Sequence, residues 1–199
     1  MTDYLITPFT ILRDTREQHG WSFRDIPSDA KDGGRRWLPK LEDCWLGDHL
    51  GDYTIKGMGE PGKSWRVSVE RKSLEDFYAT ILGRREQFEV ELRNLNLMDC
   101  GAVVVEVQWS DVFNYRPIHW DMEGIDQSER DHRLKTLFRS VVAWQQGKYF
   151  PRVHWWMMPG KRAAEICAFR ILERFWRQHG HETDEGRGGP ALFDKHGMG

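Results

Sequence analysis

Apolar positions along the chain fall into a few periodic runs separated by polar or glycine-rich passages. Phe9-Thr-Ile-Leu-Arg-Asp14 is β-branched and apolar and ends in the polar cluster Asp14-Thr15-Arg16-Glu17, which predicts a buried strand with acids at its tip. Residues 18–44 mix Gly33-Gly34, Pro27, Pro39 and scattered charge, the pattern of a loop-rich passage with one short helix at most. His49 to Ile55 and Trp65 to Glu70 then read as two strands joined by the turn-rich Gly57-Met-Gly-Glu-Pro-Gly62, with Trp65, Val67 and Val69 alternating with polar neighbours.

Helical periodicity takes over directly after Lys72. Ser73 is a fitting N-cap, Glu75 and Asp76 stand in the first turn where carboxylates suit the helix dipole, and Leu74, Phe77, Tyr78 and Ile81 form an apolar stripe. Gly83 breaks that helix, and Arg84 to Met98 resumes it with Phe88, Leu92 and Leu95 at helical spacing. The nearly continuous apolar run from Ala102 to Val107 predicts a buried strand. A polar stretch, 110–128, leads to a helix over about 129–147, a strand at 153–158 and a helix over 161–180. The remaining tail, 180–199, is Gly-rich and expected to be mobile. Strands followed by alternating helices and strands imply one α/β domain over 1–179, a central mixed β-sheet flanked by helices.

Composition narrows the class. The 199 residues suffice for a full core, and no run approaches the roughly 18 apolar residues that a membrane-spanning helix needs. Three cysteines, Cys44, Cys100 and Cys167, are spaced too far apart for a zinc knuckle and leave one over in any disulfide scheme, which suits a reducing interior. The expectation is an intracellular protein, cytoplasmic or nucleoid-associated. Net charge is only -2, against a generic polycation that coats nucleic acid, yet residues 1–128 carry 16 Lys/Arg to 23 Asp/Glu while 129–179 carry 11 to 4. Such a split fits an enzyme that gathers carboxylates for metal and cations for phosphate, and equally a solvated basic helix face.

The candidate chemistry lies at three strand ends: Asp14 with Glu17, Asp52, and Glu70 with Lys72. Adjacent strands would bring these acids within a few ångströms, and crowded carboxylates raise one another's pKa unless a counter-charge is present. Mg²⁺ is suited to that role, because it takes oxygen ligands, keeps several waters and bridges to phosphate. Lys72, two residues beyond Glu70, projects from the same strand face and can orient or help deprotonate an attacking water, or stabilise developing charge. Taken singly, a Gly-Asp pair marks a turn, Glu-Arg-Lys a solvated surface and Asp-x-x-Glu a helix start. Their order and placement change that weighing.

Gly51-Asp52, a 17-residue spacer, Glu70-Arg71-Lys72, three residues and Asp76 together resemble the motif of the nuclease domain of XPF-type structure-specific endonucleases, a family that includes Hef and the Mus-type nucleases. Upstream, Asp14-Thr15-Arg16-Glu17 is similar to the family's Asp-x-Arg-Glu segment. Downstream, Gly83-Arg84 and Gln87 resemble its Gly-Arg-x-x-x-Gln segment with one residue fewer. The likeness covers roughly residues 11–107. It implies a restriction-endonuclease-like fold, Mg²⁺ or Mn²⁺ held by Asp14, Asp52 and Glu70, a catalytic set completed by Glu17, Arg71 and Lys72, structural support from Asp76, and cleavage of branched DNA in repair or recombination. Arg16, Arg84, Arg85 and Gln87 become candidate DNA contacts. On this resemblance the chain is expected to lack the tandem helix-hairpin-helix module and the helicase domain of longer members. Gly47-Asp48 competes with Gly51-Asp52, which is preferred because Tyr53-Thr54-Ile55 continues a strand.

Two other classes stay open: a catalytically silent DNA-binding partner subunit, and a restriction-type nuclease on duplex DNA. Most of the ten tryptophans read as core, with Trp37 beside Arg35-Arg36 the best candidate for base stacking. On the 161–180 helix, Ala164, Ala168, Ile171 and Phe175 form one stripe, while Phe169 and Trp176 widen the apolar arc beyond one sheet contact. That excess, with the resemblance, leads to the expectation of a homodimer through the C-terminal part, or a heterodimer with another DNA-binding chain.

Overall fold

The computed structural model describes residues 4–29, 31–32, 35–115, 123–146 and 149–180; the tail expected beyond 180 lies outside these. Within them the strands are β1 (Tyr4–Asp14), β2 (Lys31–Asp32), β3 (Arg35–Cys44), β4 (Tyr53–Ile55), β5 (Gly59–Glu60), β6 (Ser64–Trp65), β7 (Val67–Lys72), β8 (Cys100–Val105) and β9 (Val153–Met157). The helices are α1 (Leu74–Gly83), α2 (Arg85–Leu97), α3 (Trp109–Asn114), α4 (Gln127–Gln145) and α5 (Lys161–His179). Seven strands form one sheet in the order β2-β3-β1-β4-β7-β8-β9, and β5 pairs with β6 as a separate hairpin. β7, β8 and β9 run parallel, β4 is antiparallel to both β1 and β7, and β1 is parallel to β3. The sheet is therefore mixed and the domain α/β, as the alternation of elements implies.

Period-two alternation in the central strands sorts side chains onto two faces. Val67 and Val69 of β7, with Ala102 and Val104 of β8, pack under Ala164, Ala168, Phe169 and Leu172 of α5. Val103 and Val105 face the other way, against Phe77 and Ile81 of α1, Phe88 and Leu92 of α2, and Leu137, Val141 and Trp144 of α4. Burying a side chain of this size contributes roughly 1.5–3 kcal/mol relative to leaving it in water. The same alternation turns Ser68, Glu70 and Lys72 toward α1 and α2 and sends Arg71 to the opposite face. α1 starts at the expected cap: Ser73 Oγ accepts from the Asp76 amide at 3.1 Å.

Three expectations are corrected. The 18–44 passage contains the ten-residue strand β3, which its charges and Pro39 obscure; eight residue pairs link it in parallel to β1, with a register shift between Ile6 and Thr10 that absorbs the irregularity. Trp37 on that strand is buried, which removes it as a base-stacking platform. Finally, Phe169 and Trp176 are covered within the chain: Phe9 stacks on Trp176 with ring centroids 5.2 Å apart, and Phe9 and Phe23 flank Phe169, each at 6.3 Å. The apolar excess on α5 is thus taken up by β1 and the loop after it, and these residues lend no support to a dimer. All three cysteines are free thiols, and among the described residues no helix is long and apolar enough to cross a membrane.

Candidate active site

Three strand ends converge through the backbone around Asp52. The Asp52 amide donates to the Val69 carbonyl at 3.0 Å, and the Asp52 carbonyl accepts from the Asp14 amide at 2.8 Å, so β4 locks the tips of β1 and β7 together. Gly51 makes the entry possible. Its φ is +85°, and a Cβ there would collide with Ser68 Oγ, which is itself bonded to the Leu50 carbonyl at 2.7 Å. Asp52 Oδ2 accepts from the Arg71 amide at 2.7 Å.

A cleft of about 170 Å³ opens where β4 and β7 meet α1 and α2, and its wall is polar. Glu17, Asp52, Glu70, Arg71, Lys72, Asp76, Arg84 and Gln87 all line it, each of them singled out from the sequence. Lys72 Nζ donates to Glu70 Oε1 at 2.5 Å and lies 4.8 Å from the centre of the Phe88 ring. Ser73 Oγ donates to Asp76 Oδ2 at 2.8 Å, which fixes the start of α1 at the rim. Asp48, the competing Gly-Asp acid, is 75% exposed and outside the cleft.

Asp14 is placed differently from the other acids. Its buried carboxylate accepts from the Arg16 amide at 2.8 Å, from Arg16 Nε at 2.9 Å and from the Leu46 amide at 2.9 Å, and it does not line the cleft. Glu17, three residues on, stands there instead. Arg16 is correspondingly committed within the protein, holding Asp14, Asp48 and the Gly47 carbonyl. Arg85 is also turned away from the cleft: it bonds Glu89 and Ser140 and lies over the Trp144 ring. Of the four candidate DNA contacts, Arg84 and Gln87 face the cleft.

Electrostatics distinguish the acids further. Burial would raise Asp14, but the hydrogen bonds from Arg16 and Leu46 outweigh it and hold the carboxyl below its usual range. Burial, reinforced by the neighbouring Glu70, raises Asp52 well above the usual carboxylate range. Burial likewise pushes Glu70 up to about 7, with Lys72 pulling against it and Glu91 and Glu17 adding repulsion. Burial alone would favour neutral Lys72, yet the summed carboxylates of Glu70, Glu91 and Asp52 prevail and keep it protonated.

Two acids central to this arrangement escape the sequence reading. Glu106, just past β8, takes Arg71 in a two-pronged pair and accepts from Trp21 Nε1 at 2.8 Å. It is the first acid at the end of an apolar strand, the same signal that marks Asp14 and Glu70. Glu91 on α2 lines the cleft one helical turn after Gln87, so the i, i+4 spacing from a candidate contact could have found it.

Among the described residues no ready-made group of three His, Cys, Asp or Glu side chains is arranged around a metal position. The donor chemistry nonetheless fits a hard divalent cation. All donors are oxygens, and Asp52 and Glu70 are destabilised as anions by burial.

The sequence matches no protein-family model and no curated protein. In three dimensions the chain is similar to XPF from Aeropyrum pernix, with a TM-score of 0.52 and 15% sequence identity over 87% of this chain and 68% of that one. At that identity the likeness is one of fold.

Proposed function

We propose that the cleft hydrolyses phosphodiester bonds of DNA with the help of Mg²⁺ or Mn²⁺, acting at branched or flap structures. The observation that carries the reading is the meeting of Asp52, Glu70 and Lys72 in one polar cleft, at the strand ends of a fold similar to that of XPF. The branched substrate follows the motif resemblance, since nothing in the cleft itself reads a branch.

Asp52 and Glu70 would hold the cation, and Glu17 is a further acid lining the same cleft. Asp14 supports them from behind through the backbone link to Asp52 and its grip on Arg16. When bound, the cation supplies a polarised phosphoryl oxygen and a water of lowered pKa. Lys72, protonated beside its acidic neighbours in the cation-free chain, would orient the water or stabilise charge on the phosphate. Arg71 spans Glu106 and Glu17 and so fixes the Glu17 side of the cleft. Arg84, 57% exposed at the rim, and Gln87 are positioned to meet a phosphate backbone.

The test is a cleavage panel of flap, fork, linear duplex and single-stranded DNA, each with Mg²⁺, with Mn²⁺ and with chelator. Metal-dependent nicking, strongest on branched substrates, is expected. Absence of cleavage on all of them would transfer the protein to the silent DNA-binding class, and preference for linear duplex would favour the restriction-type reading.

A further inference from the structure

Glu91 is the acid of the cleft that no motif accounts for, and its surroundings are unusual. Its Oε2 is buried without a hydrogen bond, 3.5 Å from Lys72 Nζ. Its Oε1 lies 3.5 Å from His49 Nδ1. The helix that carries it is tied to the loop before β4, because Asn94 Nδ2 donates to the His49 carbonyl at 3.0 Å. Glu91 is therefore tied to two elements of the cleft, while its one buried oxygen lacks the donor that a buried acceptor calls for.

Lys72 has three N–H donors and a short bond to Glu70, and its stem is confined by the Phe88 ring. A cation bound through Glu70, as proposed above, competes with that ammonium for the same carboxylate. Displaced from Glu70, the ammonium needs another acceptor, since a buried, unpaired charge is costly. Glu91 Oε2 is the acceptor already within reach. A movement of roughly 0.7 Å would turn the 3.5 Å approach into a charge-assisted hydrogen bond of about 2.8 Å.

We propose that Glu91 is a positioning residue that receives the Lys72 ammonium when a divalent cation occupies Glu70. This rests on the metal-dependent reading of the cleft and adds a two-position lysine to it. In the cation-free chain Lys72 serves as the counter-charge of Glu70; in the cation-bound chain Glu91 receives it and holds it aimed at the scissile phosphate. Glu91 acts through Lys72 and touches neither substrate nor metal.

Calorimetric titration of Mn²⁺ into four full-length proteins tests this without any turnover: wild type, Glu91→Gln, Lys72→Met and the double variant. Glu91→Gln removes a nearby negative charge in either background, so the coupling between the two sites, and not the single loss, is the informative quantity. With Lys72 present, Glu91→Gln is expected to weaken Mn²⁺ binding about tenfold; with Met at position 72, by less than about twofold. An equal loss in both backgrounds would make Glu91 a direct or long-range metal residue and overturn the positioning role, as would no loss in either. Wild type that binds no Mn²⁺ would sink the metal reading itself, and this inference with it. A single cooperative cation-free melt shows that each variant is folded when titrated, even where its midpoint is shifted, and a misfolded Lys72→Met is replaced by Lys72→Gln in the same cycle.

Discussion

Arg71 and Glu106 form two parallel hydrogen bonds across neighbouring strands, Nε to Oε1 at 2.8 Å and Nη2 to Oε2 at 2.9 Å. The guanidinium side chain is only 6% exposed, and its other acid, Glu17, is reached by a longer bond of 3.3 Å. Removing Glu106 would leave a buried cation under-compensated and strip Trp21 Nε1 of its acceptor. Glu106→Ala is expected to cost about 3 kcal/mol of stability, read as a lowered denaturation midpoint at constant m-value. Glu106→Gln, which keeps an acceptor, should cost less.

Crowded acids in the cleft predict a pH dependence of stability. Glu70, raised from its ordinary range to about 7, binds more protons in the folded than in the unfolded chain. The stability it contributes is present below its unfolded pKa and is lost as pH rises through about 7. The melting temperature of the cation-free protein should therefore fall by several degrees between about pH 5 and pH 8, and Mg²⁺ at pH 8 should restore it. Asp52→Asn, which removes a buried carboxyl that burial and Glu70 disfavour as an anion while keeping the acceptor for the Arg71 amide, should melt higher than wild type at pH 8 and gain less from Mg²⁺. A flat profile in wild type would contradict this reading of the acids.

Gly51 and Gly83 should respond oppositely to the same substitution. Gly51→Ala meets both a positive φ and the Ser68 hydroxyl, and is expected to destabilise by more than about 2 kcal/mol and to displace Asp52. At Gly83, the last residue of α1, a Cβ would enter open space with no atom within 4 Å, so Gly83→Ala should be neutral or stabilise by about 0.5–1 kcal/mol. Thermal melts of the two variants decide it.

Sequence periodicity reveals the central strands, α1, α2, α4 and α5, because each carries an unbroken apolar face. It fails at β3, where Arg35-Arg36, Pro39 and Lys40 interrupt the alternation and tertiary pairing with β1 supplies what propensity does not. α3 is hidden in a largely polar stretch, although Val112 is fully buried there. At the site, the strand ends name the acids but cannot say which is neutralised in place: Asp14 and Glu17 share one tip, and Arg16 between them takes the first and leaves the second to the cleft. Arg84 and Arg85 look alike in sequence, and only the break between α1 and α2 decides that one meets the cleft and the other lies on α4. Local pattern can flag Glu106 and Glu91 as candidates, but their roles come from partners 35 and 19 positions away, which only the fold brings together.

The most direct test of the central claim compares wild type with Asp52→Asn on one labelled flap substrate under single-turnover conditions in Mg²⁺. Asn preserves the shape of the side chain and its bond to the Arg71 amide, and removes only the charge offered to the cation. The variant's cleavage rate is expected to be at least about a hundredfold lower, with the affinity for DNA in chelator unchanged within about twofold. A variant that cuts at the wild-type rate would contradict the central claim.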